Sequence, residues 1–222
     1  MTVRIKICGV THPDDAAAAL DAGADLIGLN FVPGSPRCLS LDQAEQIAGR
    51  VAGQGERVAV FRNAGWDEIE RVTRRIEIER IQLHGDETEE DVELLDFPVI
   101  KAVRGADRVA ADTYPGTLLL LDHPTRGGGQ GQSWNWSEAG DLIAEGVDII
   151  LAGGLTPENV GQALADLGDL LPWGVDVATG VEGAEYRKDA ARMHAFIDAV
   201  RKAEAAMNAE AKAALSAGAE KP

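Results

Sequence analysis

Two reactive side chains, Cys8 and Asp122, each end a run of residues that predicts a β-strand. Apolar and polar residues alternate over 3–8, and the thiol closes that run, whereas Asp122 follows four consecutive leucines. An ionised thiol can remove a proton, and burial favours the protonated form of a carboxyl group, which can donate one. The pair could therefore supply a general base and a general acid. Both side chains also have a structural interpretation, Cys8 as a small buried apolar group and Asp122 as a turn residue before Pro124.

Two glycine-containing segments are candidates for binding a phosphate group. Gly153-Gly154 leads into a helix start at Thr156, and Thr179-Gly180 follows the last predicted strand. Glycine lets backbone amides approach an anion closely, and the N-terminus of a helix favours negative charge. The alternative is that these glycines only form tight turns. Their occurrence after the seventh and eighth strands favours phosphate binding, because barrels commonly build phosphate sites there.

Polar side chains near other strand ends complete the set of candidates. Arg37, held by the neighbouring Pro36, could bind a planar carboxylate, although it could also be a solvated loop residue. Gln82 and His84 lie on the same face of a predicted strand. Their side chains could contact a substrate, or they could belong to a polar layer inside the barrel. Asp176 is expected to pair with Lys6 in a structural role.

The order of strands and helices predicts how these residues are brought together. Eight β-like runs alternate with helical segments, which indicates a parallel sheet closed into a single-domain α/β (β/α)8 TIM barrel. An open doubly wound sheet would more often carry a GxGxxG motif after the first strand, and residues 8–11 lack one. Predicted strands are 3–8, 25–32, 57–62, 80–84, 98–103, 117–122, 148–152 and 174–178. Predicted helices begin near Pro13, Leu41, Asp67, Thr88, Asp107, Asn135, Pro157 and Asp189.

Composition narrows the classes of function. The chain has 222 residues and a net charge of −16, which disfavours nucleic acid and anionic membrane surfaces as partners. No apolar run approaches a membrane span, no signal peptide is apparent, and two cysteines suit neither a disulfide framework nor a zinc site. We therefore expect a cytoplasmic enzyme. Residues 1–202 are predicted to form the catalytic barrel, and 203–222 an alanine-rich tail, helical or disordered.

The motifs at the strand ends, taken together, resemble the phosphoribosylanthranilate isomerase family of tryptophan biosynthesis. Single glycine motifs are weak signals, but an ordered set that spans the first strand to the last helix is specific. The motifs are Lys6-Ile7-Cys8-Gly9, Gly23-Ala24-Asp25 through Ile27-Gly28, Ser35-Pro36-Arg37, Gln82-Leu83-His84-Gly85, Leu121-Asp122, Gly128-Gly129-Gln130-Gly131, Trp134-Asn135-Trp136, Ala152-Gly153-Gly154-Leu155 and Gly174-Val175-Asp176-Val177.

The resemblance implies an Amadori rearrangement of N-(5-phosphoribosyl)anthranilate that needs neither a metal nor an organic cofactor. By analogy with the family, Asp122 protonates the furanose ring oxygen and Cys8 removes the C2′ proton. Arg37 would hold the anthranilate carboxylate, and the amides of Gly154 and Gly180 the phosphate. The implied partner is a small phosphorylated substrate, and the chain is expected to be a monomer or homodimer.

The chain departs from the family pattern in three places. His123 stands where threonine is usual after the acid, Gln132 replaces a lysine in the loop after the sixth strand, and Ala178 and Thr179 replace serines. These changes predict altered affinity rather than lost activity. Two rival functions are another phosphosugar isomerase or epimerase, which would more often use paired carboxylates or a metal, and a non-catalytic barrel that binds phosphorylated ligands.

Overall fold

The computed structural model describes residues 2–124 and 134–219. Its eight strands are all parallel and form a closed barrel in chain order, with β1 paired to β8. The fold predicted from the alternating strand and helix patterns is confirmed. The strands are β1 Arg4–Cys8, β2 Leu26–Asn30, β3 Glu56–Phe61, β4 Arg80–Leu83, β5 Val99–Arg104, β6 Leu118–Asp122, β7 Ile149–Leu151 and β8 Gly174–Val177.

The helices follow the strands as expected, with two shifts in where they begin. They are α1 Pro13–Asp21, α2 Leu41–Arg50, α3 Trp66–Thr73, α4 Glu89–Glu93, α5 Arg108–Thr113, α6 Gly140–Ala144, α7 Val160–Ala165 and α8 Ala190–Ala219. A 3₁₀ turn over Trp136–Ala139 precedes α6. Helix α7 begins three residues later than Pro157, because the Asn159 side chain accepts the Thr156 amide and stabilises a separate turn there.

Strand β1 shows how the alternation of side chains divides the barrel into two packed layers. Ile5 and Ile7 are fully buried in the core between the barrel and its surrounding helices. Lys6 and Cys8, on the opposite face of the strand, point into the barrel. The apolar members of this inner layer include Val58, Val60, Leu118 and Leu120, all buried. Lys6 and Cys8 therefore lie inside the barrel rather than at its solvated surface.

Stacked aromatic and charged side chains form a cluster at the N-terminal end of the barrel. The guanidiniums of Arg4 and Arg80 lie 4.8 and 5.2 Å from the centre of the Trp173 ring. Both guanidiniums also bind Glu56, at 2.9 and 2.5 Å. This cluster lies at the end of the barrel opposite the C-terminal ends of the strands.

Helix α8 crosses residue 203, the predicted boundary of the catalytic domain, without interruption. Glu204 accepts the amide of Val3 at 3.0 Å, and Met207 is buried in the core. The first turns beyond residue 203 thus pack against the start of the barrel. The division into a barrel of residues 1–202 and a separate tail stays a prediction. No helix in the described part of the chain is long and apolar enough to span a membrane.

Candidate active site

A cavity of about 580 Å³ opens at the C-terminal ends of the strands. Its walls come from every strand end or following loop except those of β5, so residues far apart in sequence converge there. Eight of the nine residues predicted to form the site line it: Cys8, Arg37, Gln82, His84, Asp122, Gly153, Gly154 and Thr179. The ninth, Gly180, lies behind the cavity wall, against the backbone of Leu155 and Thr156.

Cys8 ends β1 opposite Gly28 of β2, which leaves room for its sulfur. A Cβ atom at Gly28 would lie 2.8 Å from Cys8 Sγ. Burial raises the pKa of the Cys8 thiol above its ordinary value of 9.0, although the positive charges of Lys6 and Lys188 oppose the shift. The thiol is therefore the dominant form of Cys8 at neutral pH in the structure described here.

Lys6 and Asp176 form the ion pair expected from the sequence. They are partners in the register of β1 and β8, and Lys6 Nζ lies 2.7 Å from Asp176 Oδ1. Burial alone would lower the pKa of Lys6, but the charges of Asp176 and of Cys8 raise it above its ordinary value. Because Lys6 is only 1% exposed, this pair fixes a charged ammonium beneath Cys8.

Asp122 ends β6 and is held in place by neighbours on two other strands. His84 Nε2 lies 3.2 Å from Asp122 Oδ2, and Gln82 Nε2 lies 3.0 Å from His84 Nδ1. On the other side, a Cβ atom at Gly153 would approach Asp122 Oδ1 to 3.1 Å and the His123 amide nitrogen to 2.6 Å. Gly153 also adopts a φ of 75°, which a residue with a side chain rarely takes. Glycine at 153 therefore lets β7 approach the carboxyl group closely.

Arg37 lines the cavity, and its guanidinium is bound by Glu182, which is not among the lining residues. Its Nε and Nη2 donate to the two carboxylate oxygens of Glu182 at 2.6 and 2.7 Å, and the Tyr186 ring lies 5.4 Å from its guanidinium carbon. Hydrogen bonding to Glu182 raises the pKa of Arg37. Lys188, fully buried, also donates to Glu182, at 2.7 Å. Arg37 thus faces the cavity as a fixed cation rather than as a solvated loop residue.

The loop after β4 is organised by a second buried ion pair, between Lys101 and Glu87. Lys101 Nζ donates to Glu87 Oε2 at 2.9 Å and to the Gly85 carbonyl at 2.7 Å. Glu87 also accepts the amides of Asn63 and Gly85. Burial would raise the pKa of Glu87, but these amides and Lys101 hold it below its ordinary value. The pair fixes the backbone that follows His84.

The loops after β7 and β8 meet at the cavity wall. Gly154 has a φ of 85°, and its carbonyl accepts the Asn159 side chain. Gly180 packs so closely on this loop that a Cβ atom there would lie 2.1 Å from the Leu155 carbonyl oxygen. The indole nitrogens of Trp134 and Trp136 both donate to the Ala152 carbonyl, which anchors the end of β7. The glycine-rich loop at 128–131, and Gln132, lie outside the described residues.

Comparison with known proteins identifies the family. The family model described as N-(5'phosphoribosyl)anthranilate (PRA) isomerase matches residues 5–199. The chain belongs to the N-(5'-phosphoribosyl)anthranilate isomerase family, and it is an isomerase. The protein named N-(5'-phosphoribosyl)anthranilate isomerase from Myxococcus xanthus is 43% identical over 209 residues, which cover 90% of this chain and 97% of the relative.

Solved structures of phosphoribosylanthranilate isomerases share the fold. The structure from Thermotoga maritima matches with a TM-score of 0.83 and 34% identity, over 90% of this chain and 100% of that one. A second, solved in complex with reduced 1-(o-carboxyphenylamino)-1-deoxyribulose 5-phosphate, matches with a TM-score of 0.80 and 32% identity, again over 90% and 100% of the two chains.

Sequence reasoning missed the groups that hold Arg37 and the loop after β4. Glu182 and Lys188 carry charges after the eighth strand, but Glu182 is 145 positions from Arg37, and nothing local links the two. Glu87 and Lys101 were likewise not predicted to interact. Among the described residues, no group of three or more His, Cys, Asp and Glu side chains is arranged to hold a metal ion.

Proposed function

We propose that the chain converts N-(5'-phosphoribosyl)anthranilate to 1-(2-carboxyphenylamino)-1-deoxyribulose 5-phosphate, a step of tryptophan biosynthesis, with Asp122 as general acid and Cys8 as general base. The observation that carries this proposal is that both side chains line one cavity in a barrel of this family. The product analogue bound by the relative has the same aromatic, sugar and phosphate parts as the proposed product.

The proposed reaction needs two proton transfers, one at each ring neighbour of C1′, the ring oxygen and C2′. Asp122 gives its proton to the furanose ring oxygen, the bond between that oxygen and C1′ breaks, and a protonated Schiff base forms. Cys8, which rests as a thiol, gives its proton to solvent, and the thiolate then takes the proton from C2′. This leaves an enolamine that tautomerises to the ketone. Cys8 is then a thiol again, and the cycle closes when Asp122 regains a proton from solvent. Substrate and product have the same atoms, as an isomerisation requires.

The charges around the cavity suit the two anionic ends of this substrate. Arg37 supplies a fixed cation for the anthranilate carboxylate, and the loops after β7 and β8 offer backbone amides for the phosphate. Local donors are needed because a net charge of −16 repels an anion at long range. The proposed substrate-binding residues are Arg37, Gln82, His84, Gly153, Gly154, Thr179 and Gly180.

The test is turnover of freshly prepared phosphoribosylanthranilate, followed by the loss of its fluorescence. We expect the wild-type enzyme to be active and Cys8→Ser and Asp122→Asn each to lose at least about 100-fold in kcat, the usual contribution of a general acid or base. Cys38→Ser and Asp42→Asn are the matched controls, because they make the same changes at exposed positions. An inactive wild type, or full activity in both cavity variants, would contradict the proposal.

The alternative function outside the enzymes is that of a non-catalytic barrel that binds phosphorylated ligands. It predicts that the substrate binds without turnover and that Cys8→Ser leaves binding unchanged. Another phosphosugar isomerase would turn over a phosphosugar that lacks the anthranilate ring, so Arg37→Met would leave its kcat/KM unchanged. For the proposed substrate, we expect Arg37→Met to raise KM, because the carboxylate loses its cation.

A further inference from the structure

Tyr186 carries the only six-membered aromatic ring among the described residues that line the cavity. It lies in the loop after β8 and is 46% exposed. Its ring centre lies 5.4 Å from the guanidinium carbon of Arg37, the cation proposed to hold the anthranilate carboxylate. A partly exposed aromatic ring beside the proposed site for an aromatic acid is suited to contact the ring of that acid.

The backbone of Tyr186 adopts a conformation that tyrosine rarely takes. Its φ is 59°, and that of the preceding Glu185 is 54°, so two consecutive residues with side chains lie in the left-handed region. Glycine adopts this conformation without the steric cost. Backbone strain of this kind persists where the surrounding structure holds it, and it is concentrated at sites that bind ligands. The strained backbone therefore favours a functional role for the side chain at position 186.

Contacts on both sides of Tyr186 hold its loop in place. The Arg187 guanidinium binds both carboxylate oxygens of Asp15, on α1, at 2.9 and 2.7 Å, and the Lys188 amide donates to the same carboxylate at 2.9 Å. Lys188 also forms an isolated antiparallel bridge with Glu182, and its ammonium binds the Glu182 carboxylate. The loop is thus tied to the barrel before and after Tyr186, so the ring lies against Arg37 from a fixed backbone.

The contacts of Arg37 leave one edge of its guanidinium for a ligand. Nε and Nη2 donate to Glu182, whereas Nη1 makes no hydrogen bond within the described part of the chain. A carboxylate binds a guanidinium in its plane, through two parallel hydrogen bonds. The ring of an anthranilate bound in this way begins one bond beyond the carboxylate carbon. It is therefore within reach of Tyr186, whose ring lies against the same guanidinium.

We propose that Tyr186 contacts the aromatic ring of the anthranilate group and so selects for substrates that carry one. This inference rests on the proposed function, and it names a specificity-determining residue for it. Contact between two aromatic rings is worth roughly three- to tenfold in affinity. The contact uses the ring and not the hydroxyl group, so phenylalanine at 186 should serve equally well. A tyrosine that only covered Arg37 would instead act on the carboxylate alone.

The test compares the binding of three ligands to the wild type, Tyr186→Gly and Tyr186→Phe. Reduced 1-(o-carboxyphenylamino)-1-deoxyribulose 5-phosphate carries both the ring and the carboxylate. Reduced 1-phenylamino-1-deoxyribulose 5-phosphate keeps the ring and lacks the carboxylate, and ribulose 5-phosphate lacks both. We expect Tyr186→Gly to raise Kd for the first two ligands roughly three- to tenfold and to leave Kd for the third unchanged. Tyr186→Phe should match the wild type for all three.

The neighbouring Glu185 provides a matched control for the flexibility that glycine introduces. Glu185 is exposed, does not line the cavity and has nearly the same φ as Tyr186. Glu185→Gly therefore loosens the same loop but keeps the ring, and its Kd for all three ligands should equal that of the wild type. Because glycine tolerates a positive φ, Tyr186→Gly should fold and unfold cooperatively on heating, as the wild type does.

Several outcomes would overturn the inference. If Tyr186→Gly binds the ligand without a carboxylate as tightly as the wild type, the tyrosine acts only through Arg37. If Glu185→Gly weakens binding as much as Tyr186→Gly, the loss comes from the loosened loop. A Tyr186→Gly protein that does not fold would show that the ring serves the fold. If the wild type binds these ligands without turning over phosphoribosylanthranilate, the proposed function fails instead, and the comparison of Kd values still decides the role of Tyr186.

Discussion

Glu182 binds the guanidinium of Arg37 through both carboxylate oxygens, at 2.6 and 2.7 Å, yet only Arg37 lines the cavity. Glu182 therefore lies behind Arg37, and its contact orients the guanidinium instead of blocking it. Because Lys188 also binds Glu182, the carboxylate is itself held in place, and its charge is balanced by two cations. The position of Arg37 toward a ligand thus depends on residues from the loop after the last strand.

Replacing Glu182 should weaken substrate binding more than it slows the reaction. In Glu182→Gln, the amide nitrogen would face a donor on Arg37, so the guanidinium loses its fixed orientation. We expect KM for phosphoribosylanthranilate to rise about tenfold, with kcat nearly unchanged, as loss of a hydrogen bond to a charged group allows. Glu185→Gln, an exposed glutamate of the same loop, is the control. A fall in kcat at constant KM would instead place Glu182 in the chemical step.

The Cys8 thiol should ionise only at high pH in the free enzyme. Burial raises its pKa, and the cations Lys6 and Lys188 compensate only in part. In a Cys38→Ser background, the rate of alkylation by iodoacetamide should therefore have its midpoint above pH 9.0, the ordinary value. Lys188→Met removes an opposing positive charge and should move the midpoint higher. A midpoint below pH 8 would show that the cations outweigh burial.

Breaking the Lys6–Asp176 pair should cost far more stability than breaking a surface pair. Lys6→Met leaves the largely buried Asp176 carboxylate, which is 11% exposed, without its cation, and we expect the free energy of unfolding to fall by about 3 kcal/mol. Arg75→Met, which removes an exposed arginine bound to Asp42 and Glu45, should cost less than about 1 kcal/mol. Urea unfolding at pH 7 measures both. Equal losses in the two variants would refute the buried character of the Lys6 pair.

Glu87 should make the protein less stable in acid. Its pKa in the folded protein lies below the ordinary 4.5, so the unfolded chain binds the proton more readily. The stabilisation is complete above pH 4.5 and is lost as the pH falls through the folded pKa. Between pH 7 and pH 3, Glu87→Gln should therefore lose less stability than the wild type does. Urea unfolding at both pH values measures this, and an equal loss would exclude Glu87 as a source of acid sensitivity.

A side chain at position 180 should disturb the proposed phosphate loops. The methyl group of Gly180→Ala would collide with the Leu155 carbonyl, which is backbone and cannot move without shifting the loop after β7. We expect KM to rise at least about tenfold and the affinity for inorganic phosphate to fall, since the amides of both loops lose their alignment. Gly49→Ala, in open space on α2, should leave KM unchanged and stabilise the protein by about 0.5–1 kcal/mol. An unchanged KM in Gly180→Ala would show that residue 180 has no role in ligand binding.

The sequence alone determined the fold and most of the cavity. The spacing of apolar residues in strands and helices is a local property that can be read from the sequence. Eight strands that alternate with helices predict a closed barrel. Because a barrel gathers its strand ends at one rim, Cys8, Asp122 and the glycine loops could be assigned to one site. The Lys6–Asp176 pair followed as well, since β1 and β8 must be neighbours when the barrel closes. The exact start of α7 did not follow, because a side-chain contact of Asn159 decides it.

Only the tertiary structure decided what holds the candidate residues in place. Glu182 behind Arg37, Glu87 beside Lys101, and Asp122 beside His84 are set by the relative rotation of strands and loops. The local sequence does not predict these contacts, because a polar residue at each of these positions is equally compatible with a solvent-exposed loop. The residue types at the strand ends thus specified the chemistry available, while the packing of the closed barrel fixed the charge and orientation of each group.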